Sequence, residues 1–191
     1  RSGDEILLIS NLDNLFKINW VNEGYSSLLH EQNALKKAKE LVFKYLRENF
    51  NKANLPLALE LPFIFNLNGI KIGGRIDRID KKADKIEIID YKTGVNIPTQ
   101  KDVDLDKQLS FYALAATEVR DGVLNKKAQD LDLCLYYLEK DIKLNTSRTS
   151  AQLEDTKKFI LEKAEEISKS EFQCSKSMFC KNCEYKMLCS A

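Results

Sequence analysis

Asn68-Gly69 stands between two strand-like runs, "LPFIFNL" and "IKIGGRIDRID". Two consecutive residues that tolerate positive φ, flanked by such runs, suit a two-residue type I′ turn, so the chain must double back there as a hairpin. The second strand is expected from Ile70 to about Asp80. Lys81 to Lys85 then make a polar turn, and Ile86 to Lys92 ("IEIIDYK") is a third apolar run. Three antiparallel strands in a meander are therefore the part of the fold that the rest must pack around.

The flanks read as helices. A first helix is expected around Leu12 to Asn19, a loop near Asn22-Glu23-Gly24, and a longer helix from about Ser27 to Phe50. In the longer helix Leu35, Ala38, Leu41 or Val42, Tyr45 and Leu46 share a face, with lysines opposite. Pro56 and Pro62 bracket the change to β structure. After the meander a helix is expected from about Asp104 to Arg120. "LDLCLYYLEK" follows as a fourth strand, with Ile142 to Asn145 pairing back on it. A last helix follows Thr149, with Leu153, Thr156, Ile160 and Ile167 on one side and a Thr149–Gln152 capping box at its start. A strand–helix–strand crossover after a meander predicts an α/β fold: a mixed sheet of αβββαβ order flanked by helices.

Composition enters where partners are concerned. Lys plus Arg is 30 and Asp plus Glu is 29, a net charge of +1, so any nucleic acid must be held by a local patch. No apolar stretch approaches the ~20 residues needed to span a bilayer, so no membrane partner is expected. No basic region precedes an apolar one at the start, and the chain reads as cytoplasmic. It opens on Arg1 rather than Met, as a fragment of a longer chain would. Cys134, inside "LDLCLYYL", reads as a small core residue. The other four of the five cysteines fall at residues 174–189. Without an export signal, such clustering argues for a metal or cluster site over disulfides.

The chemistry-bearing residues gather at the end of the meander. Side chains alternate along a strand, so Asp90 and Lys92 share one face of the third strand and Glu87, Ile89 and Tyr91 the other. Asp77, opposite in parity to Ile70, Ile72 and Ile76, can lie beside Asp90. Two carboxylates and a lysine form a site for a hard divalent cation with a fixed positive charge next to it. Phosphodiester hydrolysis suits the set: Asp77 and Asp90 would hold Mg2+, and Lys92 would orient water and stabilise transition-state charge. Gln108 and Tyr112, four apart on a helix, share a face and could reach the same place. The plainer alternative is a strand-end salt bridge between Asp90 and Lys92, worth ~0–1 kcal/mol if exposed. In that case Gln108 and Tyr112 would be the wet edge of a core helix. Arg75 and Arg78 read as surface charges, with phosphate contact as the alternative, and Asp80 as a strand-end turn residue.

"GGRIDRID", "IIDYKTG" and "QLSFYALA", in that order, resemble the RecB-type branch of the PD-(D/E)XK nuclease superfamily, over Leu61 to about Ala116. The resemblance implies a restriction-endonuclease-like fold and a DNA nuclease dependent on Mg2+ or Mn2+, an exonuclease on single strands or duplex ends. It makes Asp77 and Asp90 the metal carboxylates, the carbonyl of Tyr91 a further ligand, Lys92 the catalytic lysine, and Gln108 and Tyr112 an auxiliary motif. That family takes a first ligand, His or Glu, from a helix. The only histidine is His30, read either as that ligand or as a helix-start residue. Residues 18–46 resemble a segment that follows the first motif in nuclease domains fused to UvrD-like helicases. This implies a ligand encoded before Arg1 and a helicase domain in the same or a partner chain. A free-standing exonuclease of the CRISPR-adaptation type, or a silent DNA-binding scaffold with the same fold, are the alternatives.

Cys174, Cys180, Cys183 and Cys189 form a C-x5-C-x2-C-x5-C pattern. Four thiolates can hold zinc or an iron–sulfur cluster, and spacing alone does not separate these. The last three resemble the tail of AddB-type iron–sulfur nucleases, which implies a [4Fe–4S] cluster with a structural role and Zn2+ as the alternative. The expected organisation is a helical N-terminal part over residues 1–55, a nuclease core over 56–170 and a cysteine-rich tail over 171–191.

Overall fold

A computed structural model describes residues 3–49, 55–120, 122–171 and 177–187. Two helices, α1 (Gly3–Asn19) and α2 (Leu28–Asn49), precede the strands β1 (Ala58–Leu67), β2 (Ile70–Lys82) and β3 (Lys85–Lys92). Then come α3 (Gln100–Asp104), α4 (Lys107–Glu118), β4 (Leu131–Tyr137), β5 (Ile142–Thr146) and α5 (Ser150–Lys169). The five strands form one sheet in the order β1-β2-β3-β4-β5, antiparallel except for the parallel pair β3–β4. The mixed sheet flanked by helices agrees with the αβββαβ expectation. Among the described residues no helix is long and apolar enough to cross a membrane.

The turns follow the local chemistry. Asn68 and Gly69 both take positive φ, 50° and 89°, as a type I′ turn demands. The second turn is shorter than the five residues expected: only Ala83, at φ 52°, and Asp84 separate β2 from β3. Lys82 extends β2 and pairs with Glu87 at 2.9 Å and with Asp132 at 3.1 Å on β4. The helix expected from Asp104 to Arg120 is α4, shorter at both ends, and a separate α3 precedes it. Asp106 breaks the run by capping α4, its carboxylate accepting from Leu109 N at 2.8 Å. The capping box of Thr149 with Gln152 is present, and Thr99 with Asp102 forms another at α3. Ile167 is exposed rather than on the packed side of α5, whose buried face is Leu153, Thr156 and Ile160.

The sheet separates two cores. On one face Ile76, Ile79, Ile88, Leu131 and Leu133 pack under α4 and α5. On the other, Ile89, Cys134 and Tyr136 lie beneath Tyr45 of α2. β4 is therefore apolar on both sides, the composition expected of a parallel, doubly covered strand. Cys134 is a core residue, as expected, and burial pushes its thiol up to about 11. Arg148 is buried and ties the helical layer to the sheet edge. It donates to Ser110 Oγ (2.8 Å), Thr146 Oγ1 (3.0 Å) and the carbonyls of Val103 (3.1 Å) and Asp106 (3.0 Å). These bonds fix the start of α4, where Gln108 and Tyr112 are carried.

Candidate active site

The site begins where the β2–β3 ladder stops. Its last pair is Arg78 with Ile89, so Asp77 and Asp90, the next residues out, lie beyond it. β1 and β2 are irregular at the same level. Leu61 faces Ile76 and Leu59 faces Arg78, while Glu60 between them sits at φ 48°. Ile76 and Ile79, three residues apart, are both fully buried in the same core, and Ala58 and Leu61 pack against it. Both strands thus change parity here, which simple alternation from Ile76 does not anticipate. The Asp77 carboxylate accepts from Tyr91 N at 2.9 Å, capping the end of the ladder. Asp77 is in this way held against β3 beside Asp90, as expected, but through a bulged pair of strands.

Asp90 is buried, at 2% exposure, on the face that carries α4. Three side chains close a ring on it. Lys92 Nζ lies 2.5 Å from Asp90 Oδ2 and donates to Gln108 Oε1 at 2.7 Å. Gln108 Nε2 donates to the Tyr112 hydroxyl at 2.8 Å, and that hydroxyl donates to Asp90 Oδ1 at 3.4 Å. Oδ2 is met by the Lys92 ammonium as a close ion pair and, among the described residues, by no other donor. Burial raises the Asp90 carboxyl above its ordinary value; the Lys92 bond and charge oppose this and the Asp77 charge adds to it. Burial likewise pushes the Tyr112 hydroxyl up to about 12. The Phe63 ring packs edge-on against Tyr112, centroids 6.2 Å apart at 89°.

A buried carboxylate paired with a lysine, beside a second carboxylate, is a donor set that suits a hard cation. The structure thus brings together Asp77, Asp90, Lys92, Gln108 and Tyr112. It does not bring His30 to them. Among the described residues no three His, Cys, Asp or Glu side chains converge as a metal site. His30 is exposed at the start of α2, where Nδ1 contacts Ser26 Oγ at 3.1 Å and the ring stacks edge-on against Tyr25. Its own N–H donates to Ser27 Oγ at 3.1 Å, as in a helix cap. Cys180 and Cys183 lie at a short 3-10 turn (Met178–Asn182), unpaired by disulfide and at least partly exposed. Cys174 and Cys189 lie outside the described residues.

Arg78 is not a surface charge, and Asp80 is not a turn residue. Arg78 Nε makes a forked contact with Asp80 at 2.8 and 3.0 Å inside β2, while Nη1 donates to the Tyr45 hydroxyl at 2.7 Å. Tyr45 in turn shares a hydrogen bond with Tyr91 at 2.5 Å. The sequence places Tyr45 on the inner face of α2, but nothing in it signals that the hydroxyl meets residues adjoining Asp77 and Asp90. Arg75 is exposed.

Fold and site together define an α/β domain with a carboxylate pair and a lysine at the open end of a mixed sheet. The family model of the PD-(D/E)XK nuclease superfamily matches residues 7–190, and the chain belongs to that superfamily. Among solved structures, a presumed exonuclease from Eubacterium rectale is similar at 12% identity and a TM-score of 0.50, over 93% of this chain and 70% of that one. The protein SSO0001 aligns at 17% identity and a TM-score of 0.44, over 100% of this chain and 98% of that one. None of the curated proteins matches the chain.

Proposed function

We propose that the chain is a divalent-metal-dependent deoxyribonuclease domain, acting as an exonuclease on single strands or duplex ends. The observation that carries this reading is the buried Asp90, paired with Lys92 and closed in by Gln108 and Tyr112, beside Asp77. Superfamily membership supports the reaction class. The fold likeness to the presumed exonuclease from Eubacterium rectale accords with the exonuclease assignment. Asp77, Asp90 and the carbonyl of Tyr91 would hold Mg2+ or Mn2+. A bound ion supplies a water of lowered pKa and neutralises charge on the phosphate.

The chain's own residues supply the rest. Lys92 stands as a compact charge half in solvent, placed to meet a phosphate oxygen and the attacking water, a role worth ~10²–10³ in rate for a fixed donor of this kind. Gln108 accepts from that ammonium and so fixes where the charge sits. Tyr112 and Gln108 together hold the Asp90 carboxylate in its rotamer. Arg75, exposed two residues before Asp77, is placed for a DNA phosphate. The context proposed is a helicase–nuclease of DNA repair, with the helicase in the same or a partner chain.

For the tail, Cys174, Cys180, Cys183 and Cys189 are proposed to hold a structural [4Fe–4S] cluster, with Zn2+ as the alternative. Cys180 and Cys183, separated by two residues at one short turn and not joined by a disulfide, are available as two of its ligands. Metal analysis and the absorption spectrum of anaerobically purified protein decide: a broad band near ~400 nm is expected for the cluster.

The activity is tested by Mn2+-dependent digestion of labelled single-stranded DNA. The native chain should digest it and Lys92→Ala should not. Digestion that survives in Lys92→Ala would sink the proposed mechanism.

A further inference from the structure

The back face of the sheet carries a polar cluster directly behind the two carboxylates. Arg78 follows Asp77 on β2 and Tyr91 follows Asp90 on β3. Their side chains meet at Tyr45 of α2, with Arg78 Nη1 at 2.7 Å and the Tyr91 hydroxyl at 2.5 Å from its oxygen. The meeting point lies where the β2–β3 backbone ladder ends at Arg78–Ile89. Beyond it no ladder pairing sets the distance between Asp77 and Asp90. Tyr91 is gripped at both ends, its N–H by the Asp77 carboxylate at 2.9 Å and its hydroxyl by Tyr45. Arg78 cannot swing away, because its Nε is forked onto Asp80.

We infer that Tyr45 and Arg78 are positioning residues, forming a clamp from α2 that sets the spacing of Asp77 and Asp90 across the split between β2 and β3. The reasoning is mechanical. A strand pair that has left its ladder is free to spread unless something else spans it. Here the span is a guanidinium and two phenols, half-buried: Arg78 donates to the Tyr45 oxygen, which shares a second hydrogen bond with the Tyr91 hydroxyl. Outer groups that hold first ligands are worth ~10–100-fold in metal affinity when removed. α2 has no fully buried side chain, so the same cluster also docks the helix, and the test must separate docking from positioning. Tyr136 supplies the control. Its hydroxyl donates to Asp141 at 2.5 Å and accepts from Asn49 of α2 at 3.0 Å, so it too docks α2, but it spans β4 and not the split.

The test is backbone amide hydrogen exchange in the metal-free chain, comparing the Tyr91 amide with that of the core residue Ile88. Tyr45→Phe should speed exchange at Tyr91 roughly 10-fold relative to Ile88, the effect of releasing about 1.4 kcal/mol of local protection. Arg78→Lys, which keeps the charge on Asp80 but loses the reach to Tyr45, should do the same. Tyr136→Phe should leave the ratio unchanged. An unchanged ratio in both Tyr45→Phe and Arg78→Lys, or an equal change in Tyr136→Phe, would overturn the clamp. A second arm rests on the nuclease reading: Tyr45→Phe should weaken Mn2+ binding about 10-fold by calorimetry, and Tyr136→Phe should not. If the native chain bound no Mn2+, the nuclease reading would fail, while the exchange ratios would still decide the clamp.

Discussion

The ammonium of Lys92 joins two partners, lying 2.5 Å from Oδ2 of Asp90 and donating to Gln108 Oε1 at 2.7 Å. Lys92 is therefore held between a buried carboxylate and a neutral amide. A simple strand-end salt bridge would not need the amide; here Gln108 fixes where the lysine's charge sits.

Gln108 is thus expected to act through Lys92. Gln108→Ala should lower kcat for Mn2+-dependent DNA cleavage about 10–100-fold, the range set by losing a hydrogen bond to a charged group worth ~1.5–3 kcal/mol. KM for DNA should move little. Steady-state kinetics on a labelled single strand check both numbers. An equal rise in KM with kcat unchanged would mean that Gln108 contacts the substrate instead.

Asp90 should reduce the stability of the metal-free chain at neutral pH. Its folded carboxyl is raised above the ordinary 3.8, mainly by burial. Below 3.8 it is protonated in both states and contributes no difference. As pH rises from there through the raised folded value, the unfolded chain ionises first and stability is lost. Asp90→Asn cannot ionise, so it should match the native chain at low pH and exceed it at pH 7. The expected outcome is a higher Tm for the variant than for the native chain at pH 7, with the difference vanishing toward pH 3. Thermal melts without divalent ions, across pH 3 to 8, check it.

Gly74 should tolerate no side chain. A Cβ there would stand 2.6 Å from the Phe63 ring, which also packs against Phe65 and Tyr112. Gly74→Ala should cost about 1–3 kcal/mol by overpacking. Adding Phe63→Leu should recover part of that loss, because the ring is what the methyl meets. Chemical denaturation of the single and double variants checks the coupling.

Much of this was legible in the sequence because it rests on local rules. Asn68-Gly69 specified the hairpin, the spacing of two put Asp90 and Lys92 on one face, and the spacing of four put Gln108 and Tyr112 on one helical face. What was not legible is non-local or irregular. The parity change at Glu60 and Asp77 leaves no period-two signal, since Ile76 and Ile79 are simply two isoleucines three apart. Asp106 inside an apolar helical run read as a helix residue until its cap to Leu109 was seen. Arg78 looked like an exposed charge and Asp80 like a turn residue because their partners, Tyr45 and each other, are set by how α2 packs on the sheet.

The central claim is that Asp77 and Asp90 hold a divalent ion beside Lys92, and paramagnetic broadening of amide NMR signals by Mn2+ tests it most directly. The account predicts saturable one-to-one broadening centred on Asp77, Asp90 and Tyr91, abolished by Asp90→Asn. Broadening centred on other acidic residues, or the same broadening at these three in Asp90→Asn, would contradict it.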